Sequence, residues 1–434
     1  MSRIFDIIIT FFYIFGFSFK NGTGLDSTML VFAFLCFKAL YGKKYFNLLI
    51  KFFRTSYFRN IVICYFLINI LCIFSIFAND TNDYSFLKTF FHMFFLIVTG
   101  CLLFVYFSSK CKSKYIVENV VICFIVQTII EWLAYIFPSI KNIVNYTKSY
   151  ATIIKGQSYS GIRGNALAAS DFFGLSVSYA CILLLFFSKK NSIFKSNKFI
   201  RLLLYTFIVS GTFFAGRTGF IGLLIALVYL VFTRLNIKEK NFYSSGFKVK
   251  KITFYILPII LISFLFLSRF LNEFSQNEKA LNLLNFAFQL IISKKTTGSI
   301  NVSSLQSLEH MYRIKIPFIT YIIGDGRYTL ENGKYYMGTD VGYLRVILFI
   351  GFVGMISLLI MEMFIIAPLK GDERKLKFFI IILLLILNFK GEVIVWSQIL
   401  LSMILLFVLQ DIFIETKDGW GFNYEINNSF NDNL

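Results

Sequence analysis

"KFIRLLLYTFIVSGTFFAGRTGFIGLLIALVYLVFTR", residues 198–234, holds two apolar runs joined by a short turn that carries an arginine. A membrane span takes roughly 20 apolar residues, somewhat fewer when flanking side chains snorkel, so each run is read as a span. The turn Gly216-Arg217-Thr218-Gly219 is so short that the two helices must be neighbours. A charge near lipid is costly, so Arg217 either reaches the headgroups or has a task of its own. The glycines flanking it let another backbone or a ligand come close.

The same pattern runs along the chain. Of 434 residues 57% are hydrophobic, 56 are Phe and only 4 are Pro, and the mean hydropathy is +0.71. A soluble domain of this length needs far more polar surface, so the composition indicates a polytopic membrane protein. A net charge of +20 would suggest nucleic acid in a soluble protein. Here Lys and Arg are read as holding loops in the cytoplasm, and no nucleic-acid partner is expected. The seven cysteines form no CxxC pair and His occurs only at 92 and 310, so no metal-ligand set and no cofactor are expected. The first apolar run leads into "FSFKNGTG" without a small-residue cleavage site, so no cleavable signal is expected.

Reading by span length gives about twelve transmembrane helices in one integral membrane domain, 1–434. Their approximate cores are 4–19, 27–42, 60–78, 86–108, 116–138, 171–188, 199–214, 218–233, 252–270, 342–367, 376–390 and 394–414. With the N-terminus in the cytoplasm, one face collects basic loops such as Lys43, Lys44, Lys51, Arg54, Arg59, then Lys110, Lys112, Lys114, and Lys370, Arg374, Lys375, Lys377. The short opposite loop "NDTNDY", 79–84, has no Lys or Arg. This places both termini in the cytoplasm. Two outside loops are long, 139–170 and 271–340. Within the second, 275–295 has helical apolar spacing and is read as an amphipathic helix on the membrane surface.

Basic residues outside are exceptions to the charge asymmetry. Arg163, Arg217, Arg313 and Arg327 are such residues, with Lys141, Lys148 and Lys155 near the first, and 139–170 contains no acid. An arginine fork suits phosphate oxygens, although any single arginine could also snorkel to headgroups. Gly161 and Gly164 bracket Arg163. Asp171 and Asp340 each precede a helix, where capping is the alternative to chemistry. "IIGDGRY", 322–328, reads as a glycine-bracketed turn bearing Asp325 and Arg327. In "SLEHMYRI", 307–314, His310 and Arg313 share a helix face beside Glu309, and a histidine can act as a general base.

Three stretches together resemble the bacterial O-antigen polymerase family (Wzy-like), within the superfamily that includes the O-antigen ligases. They are "SGIRGNALAASDFFGLS", "FAGRTGFIGLLIAL", and "YIIGDGRY" followed by "MGTDVGYLRVILFIGFVGM". The resemblance covers roughly residues 150–360, the remainder matching in hydropathy alone. A clear ligase-type histidine motif is missing, which favours polymerase over ligase. The resemblance implies an all-α, GT-C-like membrane glycosyltransferase at the periplasmic face of the bacterial inner membrane. It would join oligosaccharide repeat units carried on undecaprenyl pyrophosphate, in contact with membrane lipids and a chain-length regulator protein, without a metal. Arg163, Arg217, Arg313 and Arg327 would hold the pyrophosphate. Asp340, Asp325, Glu309 and His310 are the candidate bases. A lipid-linked oligosaccharide flippase is the rival class. Transporters keep charges near the bilayer midplane and show repeats, and neither is prominent here.

Overall fold

The structure is a computed structural model that describes residues 3–18, 26–157, 162–168, 172–191, 197–239, 303–369, 373–393, 397–416 and 419–422. The expected span 252–270, the surface helix 275–295, and Gly161 and Asp171 lie outside the described residues. Residues 1–225 with 308–434 form one compact unit, and 226–307 a second. Of the second, the description covers the later part of one helix and the first turn of another.

The helices in chain order are α1 (Arg3–Phe15), α2 (Ser27–Tyr41), α3 (Lys43–Phe53), α4 (Ser56–Ala78), α5 (Ser85–Ser109), α6 (Ile116–Ile136), α7 (Pro138–Tyr146) and α8 (Tyr150–Gln157). They continue with α9 (Phe172–Leu185), α10 (Lys198–Ala215), α11 (Gly219–Glu239), α12 (Ser303–Tyr312), α13 (Phe318–Ile323), α14 (Gly342–Ile366), α15 (Arg374–Asn388) and α16 (Gln398–Leu409). Among the described residues, five stretches are long and apolar enough to cross a membrane: α4, α5, Ser113–Ile136, α10 and α14. The chain is an almost entirely helical, multi-pass membrane protein.

Local chemistry sets several starts. Asp26, Thr55, Asn197 and Ser397 each accept a hydrogen bond from a backbone N–H of the helix they precede, filling donors that a helix leaves open. Pro138 opens α7, where its missing N–H costs nothing. α16 is buried along its whole length, as a helix apolar on all sides requires. It packs against α1, α5, α6 and α9.

Three expectations are corrected. The basic stretch 43–53, read as loop, is the amphipathic helix α3, burying Tyr45, Leu48, Leu49 and Phe52 on one face. The first long outside loop, 139–170, begins as two helices, α7 and α8, and residues 162–168 are irregular chain. The last span, expected over 394–414, stops at Leu409 and is followed by a short antiparallel hairpin, β1 (Phe413–Thr416) with β2 (Gly419–Phe422).

Side chains knit the helix ends into two groups. At one end Arg3 pairs with Glu118, Lys112 with Asp6, and Lys190 with Asp411 at 2.7 Å. Just past α16, the Gln410 side chain accepts from the Val117 N–H at 3.3 Å and donates to Lys114 O at 3.2 Å, so the start of α1 and the end of α16 lie at the same end. At the other end lie the 79–84 connection, the α10–α11 turn, the start of α14 and the end of α15.

α14 is not the straight span expected over 342–367. Its backbone leaves helical geometry at Ile350 and at Gly351 (φ +67°, ψ −175°), a region essentially reserved for glycine. A Cβ on Gly351 would also lie 2.2 Å from the Ile322 carbonyl oxygen. The freed carbonyls find new donors. Leu348 O accepts from the Asp325 N–H at 2.6 Å and Phe349 O from the Gly326 N–H at 3.2 Å. Ser75 at the end of α4 donates to Ile323 O and Phe349 O at 2.8 and 2.6 Å. Tyr343 and Val346 before the bend, and Met355, Leu358, Leu359 and Glu362 after it, line one cavity. The two arms therefore face each other.

Candidate functional site

The α10–α11 turn answers what comes close to Arg217. α10 ends at Gly216, whose φ of +142° a side chain would strain. Ser176 of α9 clamps the turn: its Oγ donates to Gly216 O at 2.9 Å and accepts from the Gly219 N–H at 3.0 Å. A Cβ on Gly216 would lie 2.7 Å from a guanidinium nitrogen of Arg163. The missing side chain thus makes room for Arg163 beside Arg217. A Cβ on Gly222 would lie 2.0 Å from Ala180 O, so α11 presses on the α9 backbone and the turn has little freedom.

A third cation arrives from the far end of the sequence. Lys390, two residues past α15, donates through Nζ to Thr218 Oγ1 at 2.7 Å. Burial pushes its ammonium down to about 8, and the fields of Arg163 and Arg217 push the same way, against the attraction of Asp340. Burial raises the carboxyl of Asp340, opposed by its own backbone N–H and by Lys390, Arg345 and Lys155. Arg163, Arg217 and Lys390 therefore repel one another at one turn. An entering anion relieves that repulsion and gains charge-assisted hydrogen bonds.

The loop carrying Arg163 is held from beneath. Lys148, buried, donates to the Gly164 carbonyl. Burial pushes the Lys148 ammonium down to about 7, with Glu131 opposing and Lys141 adding to the shift. Gly164 has φ +84°, and Gly156 of α8 lies against the Arg163 carbonyl, where a Cβ would stand 3.1 Å away.

Beside the cations lies a buried group that the sequence reading missed. Arg345, in the first arm of α14, stands 3.8 Å from the Glu392 carboxylate. Its guanidinium lies 3.8 Å from the centre of the Tyr328 ring and 4.0 Å from that of Tyr335, a cation–π sandwich. The Tyr328 hydroxyl donates to Glu392 Oε2. Gly342 seats the arm: a Cβ there would lie 2.6 Å from Gly391 O, between Lys390 and Glu392. The signal available was "KGE" at 390–392, two opposite charges between two apolar runs.

The other expected residues fall into different roles. Asp325 accepts from Thr320 Oγ1 at 2.6 Å and from the Tyr336 hydroxyl at 3.2 Å. Its turn is further strapped by Asn79 and Thr81, which donate to Gly324 O and Gly326 O at 3.1 and 2.6 Å. This arrangement is a fastening of the bend in α14. Arg327 is exposed and faces Tyr336. Glu309 and Arg313 form an exposed pair with each other at 2.5 Å, and His310 is exposed on the same helix. The Tyr312 hydroxyl ties this helix to Phe389 O at 2.7 Å, one residue from Lys390. Of the residues expected from sequence, Arg163, Arg217 and Asp340 are brought together.

Comparison of the chain with protein-family models, curated proteins and solved structures returns no match.

Proposed function

We propose that the protein is a membrane glycosyltransferase that polymerises oligosaccharide repeat units carried on undecaprenyl pyrophosphate, at the periplasmic face of the bacterial inner membrane. The observation that carries this reading is the convergence of Arg163, Arg217 and Lys390 on the α10–α11 turn. In such a reaction the chain on one lipid moves to the sugar end of a unit on another. Negative charge then builds on the departing pyrophosphate, and fixed cations lower that barrier. Two arginines supply planar forks for phosphate oxygens, and Lys390 supplies a point charge. The lipid itself is the donor, so the reaction requires no nucleotide.

The test is a strain lacking the gene. A polymerase leaves a single repeat unit on the glycolipid, and polymer returns with the gene. Absence of any repeat unit outside the cytoplasm would mean a flippase. Long chains stranded on the carrier lipid would mean a ligase.

A further inference from the structure

We infer that Glu392 is the general base that takes the proton from the acceptor hydroxyl. The inference rests on the polymerase reading above and adds to it a catalytic carboxylate outside the three stretches that carry the family resemblance.

Three observations lead there. Glu392 is 6% exposed and one oxygen, Oε1, has no hydrogen-bond partner. A buried, unsatisfied carboxylate oxygen is expensive and needs an explanation. The other oxygen is held by the Tyr328 hydroxyl and faces Arg345. Tyr328 is itself fixed, because its N–H donates to Asp83 at 2.6 Å. The carboxylate is thus oriented with one oxygen left over. Finally, Glu392 lines the cavity in the bend of α14, with Tyr343 and Asn388. Only Gly391 separates it from Lys390 in the chain, and Gly342 pins that glycine in place.

Asp340 is placed differently. It sits in the fields of Lys390, Arg345 and Lys155, which suits it to holding Lys390 in position. The step balances without further reagents. The acceptor O–H gives its proton to Glu392 Oε1, and the oxygen lone pair forms the new bond to the anomeric carbon. The bond from that carbon to the pyrophosphate oxygen breaks, and its electron pair leaves with the lipid pyrophosphate toward Lys390, Arg163 and Arg217. Protonated Glu392 then returns its proton to solvent. Burial pushes this carboxyl up to about 7, against the opposing effects of Arg345 and Tyr328, and a base works best when its pKa lies near the working pH. The groups facing it are Arg345 and Tyr343 from the first arm of α14, Glu362 from the second, and Tyr328 from the preceding loop.

The experiment uses the full chain in proteoliposomes with an undecaprenyl-pyrophosphoryl oligosaccharide, read as a glycolipid ladder. Glu392→Gln keeps shape and can still accept from Tyr328, and it is expected to lose about 10²–10⁴ in rate. Membrane level and retention of the lipid pyrophosphate should be unchanged. The wild-type rate should rise about tenfold per pH unit below about pH 7, and the residual rate of the variant should lose that slope. A Glu392→Gln enzyme with a wild-type ladder overturns the assignment. It leaves the polymerase reading intact if Arg163→Lys abolishes polymer in the same preparation. A wild-type protein that makes no ladder sinks the polymerase reading itself. Should Glu392→Gln fail to accumulate, the wild-type profile decides: a flat rate from about pH 5.5 to 7 overturns the proposal.

Discussion

Lys390→Met separates a binding charge from a structural one. In the protein without substrate, Lys390 is held where burial and two arginines disfavour its charge, moving its pKa from 10.5 to about 8. A pKa unit is worth about 1.4 kcal/mol, so the charged form carries roughly 3 kcal/mol of unfavourable interaction in the folded state. For a lysine the unfolded chain then binds more protons across the window between about 8 and 10.5, so stability rises with pH there. At neutral pH the penalty is fully present. Methionine keeps the length of the stem and removes the charge, so the variant should gain stability. The gain is smaller than the full figure because the bond to Thr218 Oγ1 is lost, at a cost of about 1 kcal/mol. Polymer formation should fall sharply, because a charge-assisted contact to the leaving group is worth about 1.5–3 kcal/mol. The assay pairs thermal unfolding in detergent with a glycolipid ladder. A variant that melts earlier and still makes full polymer would refute the reasoning and make Lys390 a structural lysine.

Lys390→Arg keeps the charge at alkaline pH, so the fall in wild-type rate above about pH 8 should disappear in this variant; an unchanged alkaline limb in a rate profile argues against Lys390. Arg217→Gln should reach normal membrane level and yield single repeat units, with a rate loss on the order of 10²–10³; a full ladder would return Arg217 to the lipid headgroups. Gly351→Ala should destabilise by at least about 1–3 kcal/mol from backbone strain alone, read as a lower melting temperature, because the added Cβ also meets Ile322 O. Asp83 is held below the usual carboxylate range: burial raises it, but hydrogen bonds from Ser85, Thr329 and Tyr328 outweigh that. Its stabilising contribution is therefore present at neutral pH and lost on acidification, and Asp83→Asn should flatten the acid limb of a melting-temperature profile.

Hydropathy made the positions of most helices legible, because an apolar run of span length has few other fates. The bend in α14 was not legible. Gly351 sits in "ILFIGFVGM", which has the appearance of an ordinary membrane helix, and what breaks it is the turn at Gly324 to Gly326 donating to its carbonyls. α3 carried its own signal, apolar residues at 45, 48, 49 and 52, but its four basic residues, Lys43, Lys44, Lys51 and the following Arg54, drew it into a loop. At the site, Arg163 and Arg217 stood out as arginines between glycines. Their proximity did not, since Gly216 and Ser176 create it through space. Lys390 was absorbed into the end of a span, and Glu392 and Arg345 stood as isolated charges whose pairing only the fold reveals.

The most direct measurement of the central claim is binding of undecaprenyl pyrophosphate to the purified protein in nanodiscs. Wild type should bind it saturably, inorganic pyrophosphate should compete, and Arg163→Ala, Arg217→Gln or Lys390→Met should each weaken binding by about tenfold or more. Equal affinity in wild type and in all three variants would contradict the account, because the cations that converge on the α10–α11 turn would then not be holding the lipid pyrophosphate.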